Sequence, residues 1–281
     1  FLNISAGMRY ESFTVNEYAA GKPVFRAGLN YQVAEASFLR ASFGQGFRFP
    51  TIAESYIRTG LGSLQVYPNE SLRPETSNSM EIGFKQGIKA GSVLGFIDLA
   101  FFRQTYENYI EFTFGQWGDP LTEELYGLGF KSINTGSSEV SGIEFSTMGK
   151  VETPRGLNVS FLAGYTCTNP ISTSPEYNYN PDSTGVETTY LSTSHDTTGY
   201  RLKYRSPHLV RGDVQLEAGP WSGGVSVRYQ TALQNFDEAF LEFERLGAVD
   251  WGLAEWLYPD GIDEEGNYNE PIKRLPWLLD L

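Results

Sequence analysis

The stretch SFLRASFGQGFRFPTIAESY, Ser37 to Tyr56, decides the fold. Its first half alternates. Leu39, Ala41 and Phe43 fall on one face of a strand, and Arg40, Ser42 and Gly44 fall on the other. The chain then passes through Gly44-Gln45-Gly46 to an arginine held between Phe47 and Phe49, and stops at Pro50, which has no N–H for a ladder.

The same period-2 pattern recurs along the chain. In LNISAGMRYE, Leu2, Ile4, Ala6, Met8 and Tyr10 share a face. So do Phe25, Ala27, Leu29, Tyr31 and Val33, then Met80, Ile82 and Phe84. Val159, Phe161, Ala163 and Tyr165 follow, then Val210, Val214 and Leu216, and finally Trp221, Val225, Val227 and Tyr229. The segment from Ser92 to Glu111 is less regular, and Asp98 beside Phe102 predicts a bulge. The apolar faces carry no charged residue through their centres, while the opposite faces carry several. Arg or Lys on a lipid-facing strand position costs about 2–4 kcal/mol at the bilayer midplane, so a clean outer face is what lipid would select.

Alternation also fits a soluble β-sandwich. Two features favour a membrane barrel. The strands run to about ten residues, the length that crosses a bilayer at a steep tilt. The connections alternate: short at 34–36, 86–91, 151–156 and 218–220, long at 13–22, 49–75, 113–131, 168–206 and 232–275. Short turns at one end and long loops at the other are the outer-membrane pattern. The expected fold is therefore all-β: an antiparallel transmembrane β-barrel segment with short periplasmic turns and long extracellular loops. Phe47 and Phe49 would then reach the upper aromatic girdle, and Arg48 would belong to the rim or lumen.

Composition excludes other classes. The 281 residues carry a formal charge of -13, which argues against a nucleic-acid partner. Thirty glycines and 15% aromatic residues suit strands and turns. One cysteine, Cys167, and two histidines, His195 and His208, supply neither a disulfide nor a metal cluster, so no metal or other cofactor is expected. The chain begins and ends within strand-like sequence, and is expected to be an internal piece of a longer protein. An open segment of barrel exposes two sheet edges, so on its own it is not expected to form a conducting channel.

Three segments in order carry a signature: GQGFRFPTIAE (Gly44 to Glu54), PNESLRPETSNSMEIGFK (Pro68 to Lys85) and NTGSSEVSGIEF (Asn134 to Phe145). With LNISAGMRYE before them and RSPHLVRGDVQLE after, they resemble the barrel of a TonB-dependent outer-membrane receptor, and the style of the last long loop, 232–275, resembles receptors of Bacteroidota type. The resemblance implies a barrel of about 22 strands with a plugged lumen. Nine strands and the start of a tenth are visible, so residues 1–281 would form one partial barrel domain towards its C-terminal end, with the plug and the last strands outside it. It implies no catalysis: a solute (siderophore, cobalamin, glycan or peptide) is captured outside and imported through a TonB complex acting on the plug. Outer-membrane lipid is a further partner, and a surface lipoprotein another. A passive porin or adhesin and a soluble carbohydrate-active enzyme are the competing readings.

Candidate binding residues are Arg48, Glu54, Trp117, Tyr177, Tyr179 and Tyr190, in loops or at the rim, where flat side chains with polar tips suit sugars and chelates. Positions that match the family motif are Gly46, Pro50, Asn69, Leu72, Pro74, Glu75, Glu81, Gly83, Asn134, Gly136, Gly142 and Glu144; for these, loop folding and lumen hydrogen bonding compete with ligand or plug contact. The carboxylates Glu11, Glu81, Asp213 and Glu217 could pair for glycoside cleavage, but salt bridges with Arg9, Arg40, Lys85 and Arg211 are the simpler use. His195 is expected in a solvated loop and His208 at the outer interface. A short helix is expected from Phe236. PDGIDEEGN, Pro259 to Asn267, is acidic enough for weak Ca²⁺ binding, though a solvated loop serves as well.

Overall fold

The computed structural model describes residues 1–61, 64–154, 156–179 and 187–241, together with the backbone of 277–280. Nine long strands form one antiparallel meander: β1 Leu2–Val15, β2 Tyr18–Ala34, β3 Ser37–Arg48, β6 Glu75–Ala90, β7 Val93–Glu107, β10 Ser138–Glu152, β11 Leu157–Ser172, β12 His208–Ala218 and β13 Trp221–Gln230. A short strand, β14 (Trp277–Asp280), pairs with β13 as the tenth. Each strand pairs with the next in the series, and the sheet does not close on itself among the described residues.

The register explains the alternation. One row runs across the sheet through Tyr31, Leu39, Phe84, Leu99, Phe145, Tyr165, Val210 and Tyr229. The neighbouring row contains Leu29, Ala41, Ile82, Phe101 and Ile143. These side chains cover no second sheet: Ile4 is 72% exposed, Ile82 64% and Phe101 55%. So large an open apolar face marks a surface that meets another apolar phase. The opposite face holds Arg40, Glu81, Lys85, Asp98, Glu144, Arg211 and Asp213. No helix of the described residues is long and apolar enough to cross a membrane, which says nothing of a barrel.

Glycines are spent where rings or guanidinium groups cross the sheet. A Cβ on Gly142 would stand 2.6 Å from the Phe102 ring, and one on Gly83 would stand 2.8 Å from the Arg40 guanidinium. Phe96 and Phe102 stand on the polar face with other apolar side chains such as Phe38, Met148 and Leu162, and the Lys85 ammonium lies 3.8 Å from the centre of the Phe96 ring.

Several expectations are corrected. No bulge occurs at Asp98, because β7 keeps register with both neighbours from end to end. Asp98 points inward to the Arg40 guanidinium, 2.6 Å away, so a charge there needs no bulge to excuse it. The register shift lies instead between Gln32 and Ala34. The long connection expected at 13–22 is a tight hairpin, paired from Leu2–Tyr31 up to Val15–Tyr18, with Asn16 in the left-handed region at φ 54°. The strands reach 10–17 residues rather than ten, because they continue past the apolar rows on the loop side.

The long connections are not structureless. A helical turn, α1 (Ile52–Tyr56), follows β3. A second sheet is built from β4 Thr59–Leu61, β5 Leu64–Tyr67, β8 Ile110–Gln116 and β9 Leu128–Asn134, in the order β4-β5-β9-β8, with β5 and β9 parallel. The third long connection holds α2 (Tyr190–Thr193). A helical turn occupies 238–241, inside the helix expected from Phe236. Its continuation and the acidic Pro259 to Asn267 stretch lie outside the described residues.

Candidate functional site at the loop-side rim

The small sheet, α1, α2 and the segments 171–179, 187–206 and 231–241 gather at the loop-side end. The buried side chains of the described residues concentrate here: Tyr67, Leu72, Phe114, Ile133, Tyr190 and Leu202 form an apolar core, with Phe114 edge-on to Phe130 and Phe240. Many polar groups are buried among them, so each needs a partner.

The motif residues are the joints of this module. Pro50 is buried and releases the chain into Thr51, whose hydroxyl accepts from the Glu54 N–H at 3.2 Å as N-cap of α1. The Glu54 carboxylate accepts from the Thr51 N–H at 2.8 Å and from Arg48 at 2.5 Å. Burial works against this carboxylate, but the Thr51 N–H and hydroxyl and the Arg48 guanidinium together hold its pKa below the usual range. Asn69 ties α1 to β9: its N–H donates to the Glu54 carbonyl at 2.9 Å and its Nδ2 to the Ser132 carbonyl at 2.9 Å. Asn134 uses its whole side chain, accepting from the Arg73 N–H (2.8 Å) and donating to the carbonyls of Arg73 (3.0 Å) and Asn108 (2.8 Å). The Glu75 carboxylate accepts from the Ile110 N–H at 2.9 Å, and the Pro74 carbonyl accepts from Asn108 Nδ2 at 3.3 Å. Gly136 sits at φ 84°, where a Cβ would also meet the Tyr177 ring at 3.0 Å. Gly46 faces the Ser77 hydroxyl across the strand pair.

The loop aromatics divide. Tyr190 is 1% exposed, and its hydroxyl donates to the Arg201 carbonyl at 2.5 Å and accepts from Asn235 Nδ2 at 2.9 Å. Tyr179 has a buried hydroxyl, and burial raises its pKa. Trp117 is half-buried beneath Lys131, whose ammonium lies 5.5 Å from the ring. The half-buried Tyr177 hydroxyl accepts from Arg73. Arg48 keeps 44% of its side chain exposed. At the rim Phe13 and Tyr18 of the β1–β2 hairpin close over Phe49, just past the end of β3, at 5.7 and 5.3 Å.

On the inner face Arg40 bridges Glu81 (2.9 Å) and Asp98 (2.6 Å), and Glu144 stands on the same face. Glu11 pairs with Arg9, and Asp213 takes Arg211 at 3.5 Å and the Ser226 hydroxyl. Glu11, Glu81, Asp98 and Asp213 are matched to donors rather than to each other, an arrangement that builds a wall rather than an acid–base pair. His195 Nδ1 meets Glu238 at 2.7 Å, and His208 stacks on Tyr165 on the outer face. The described residues contain no cluster of His, Cys, Asp and Glu suited to a metal ion.

Sequence reasoning missed a fully buried pair. The Lys203 ammonium meets Asp237 at 2.5 Å, both essentially without exposure, and Asn235 and Glu111 are buried beside them. Nothing in YRLKYR or NFDEAF distinguishes these residues from solvated loop charges; only their convergence does.

An outer face whose central rows are uncharged, with its Arg103–Glu139 pair at the loop-side end, a charged inner face and a folded module over one end define a wall segment of an outer-membrane receptor barrel. The chain belongs to the TonB dependent receptor-like, beta-barrel family, whose model matches residues 2–254. Among curated proteins it is similar to Hemoglobin-binding protein A of Haemophilus influenzae (29% identical over 141 residues, 46% of this chain and 14% of that protein). It is also similar to Hemoglobin-haptoglobin utilization protein B of Neisseria meningitidis (25% over 202 residues, 65% of this chain and 23% of that protein). The chain thus spans less than a quarter of the length of either. Its fold is shared with the Copper transporter OprC (TM-score 0.54, 15% identity, 82% of this chain and 33% of that chain) and with the Ferric-Catecholate import receptor Fiu from K12 E. coli (TM-score 0.53, 18% identity, 85% and 33%). By their printed names the two solved structures are a transporter and an import receptor.

Proposed function

We propose that the whole protein is a receptor and active importer of the Gram-negative outer membrane, powered through TonB, to which this chain contributes part of the barrel wall and a loop-side capture module. The observation that carries the reading is the pairing of an unbroken uncharged outer row with a folded module at one end only. Capture needs no covalent chemistry. TonB would act through a plug lying outside this chain, and outer-membrane lipid would cover the outer rows. The candidate cargoes are a siderophore, cobalamin, a glycan or a peptide, with a surface lipoprotein as accessory; the names of the two curated relatives add haemoglobin.

Of the six candidate binding residues, Arg48, Trp117 and Tyr177 keep accessible surface and are proposed to face the solute. Glu54 acts through α1 and Arg48, while Tyr179 and Tyr190 hold the module together. The test is uptake by cells carrying the full-length gene or its deletion, supplied with each cargo in turn. Uptake that requires the gene, TonB and the proton gradient supports the proposal. Uptake that persists without TonB identifies a passive barrel instead.

A further inference from the structure

Three connections meet at one buried point. Asp237, with 0% exposure, accepts from the Lys203 ammonium (2.5 Å), the Tyr204 hydroxyl (3.0 Å) and the Phe114 N–H (2.9 Å). The Asp237 carboxylate is the buried charged tie between segment 231–241, β8 and the 201–205 segment; Asn235 anchors on Tyr190 and the Arg201 carbonyl, and backbone bonds from the Tyr204 N–H to the Asn235 carbonyl (2.8 Å) and from the His195 N–H to the Phe236 carbonyl (3.0 Å) complete the attachment. Glu111 of β8 lies in the same cluster, 6% exposed, and its buried Oε1 receives no hydrogen bond from the described residues. Lys203 therefore has two carboxylates within electrostatic reach and is bonded to one. The other titratable groups around Glu111 are Arg205 and Tyr204 beside Lys203, Tyr179, Tyr190 of α2, and Tyr109 before β8.

We propose that Glu111 is the spare acceptor of a proton-coupled latch: when the segment carrying Asp237 lifts away, Glu111 releases its proton to solvent and takes over the Lys203 ammonium. A buried ammonium stripped of its only carboxylate is strongly unfavourable, so a latch without a substitute would hardly open. A second ionised carboxylate held permanently in that pocket would be unfavourable too. A protonated Glu111 meets both demands, because it is neutral while the latch is closed and charged once it opens. Burial, opposed by Lys203 and reinforced by Asp237, raises the Glu111 pKa to about 7 in the closed form.

The sign follows from linkage. The closed form binds the extra proton, so its advantage is full at low pH and is lost as pH rises through about 7. With an open-form value near the ordinary 4.5, the opening constant grows about tenfold between pH 6 and pH 8. This holds whatever the cargo and does not depend on transport.

The test is hydrogen–deuterium exchange of residues 110–116 and 231–241 in the full-length protein in lipid nanodiscs, corrected for the intrinsic pH dependence of amide exchange. Wild type should lose protection about tenfold from pH 6 to pH 8. Glu111→Gln should keep its protection and show no pH dependence. Asp237→Asn should lose protection at every pH, with no further change across this range, because Glu111 is then already ionised against Lys203. A flat wild-type profile, or a tenfold change surviving in either variant, would overturn the latch.

Discussion

Adjacent residues of β10 provide the sharpest test of which face meets lipid. Phe145 belongs to the outer row between Leu99 and Tyr165, and Ser146 points inward opposite Asp98. Phe145 lies six residues above Val151, the last paired position of β10 with β7. At ~3.3 Å per residue and a tilt near 40°, this is about 15 Å of height, close to the centre of an apolar band about 25 Å tall. Phe145→Arg should therefore cost about 2–4 kcal/mol, a shift in the folding equilibrium of roughly 30- to 900-fold. Ser146→Arg places the same charge at the same depth next to Asp98 and should cost less than about 1 kcal/mol. The assay is denaturant titration of the full-length protein in phospholipid vesicles, with mobility of the unheated protein on gels as a measure of folded yield. Equal costs for the two variants, or a larger one for Ser146→Arg, would refute the assignment of faces and with it the transport proposal.

Other expectations concern the loop module. Asn134→Ala removes three hydrogen bonds from the Arg73 and Asn108 backbone and should loosen the module by about 2–4 kcal/mol, read as faster protease cleavage of residues 67–76 with the barrel intact. Glu54 has a depressed pKa in the fold, so its contribution to α1 is present above the ordinary value of 4.5 and lost as pH falls through the folded one. Amide exchange over residues 51–57 should rise below about pH 4.5, and Glu54→Gln should abolish that step while weakening the turn at neutral pH. Gly136→Ala forces a Cβ into the left-handed region against Tyr177 and should cost about 1–2 kcal/mol, seen in the same protease assay.

The barrel wall was legible because two constraints coincide there. Strand geometry imposes a period of two, and an apolar outer phase forbids charges on every second residue, so Leu39, Phe84 and Tyr165 announce their faces unaided. Asp98 misled because an inward charge between Ile97 and Leu99 resembles a defect until Arg40, 58 residues earlier, is placed against it. The loop module was largely illegible. β4 and β5 have three and four residues, too few to show a period, and the parallel pairing of β5 with β9 joins connections more than 60 residues apart. Asn69, Glu75 and Asn134 stood out only through the family motif, and the structure shows what that motif builds, a set of side chains spent on loop backbone. Lys203 and Asp237 carried no signal, since burial of a charge is decided by a partner that local sequence does not contain.

The surplus length of the strands has a consequence for where a solute is first met. The sixteen residues of β6 rise about 40 Å at that tilt, some 15 Å more than the hydrocarbon band requires. In an outer membrane this excess lifts Asn134, Trp117 and Tyr177 clear of the headgroups and into the layer of surface saccharides. A bulky cargo could then seat on the vestibule without pressing against the bilayer, and its approach would be governed by the density of the sugar coat rather than by the lipid beneath.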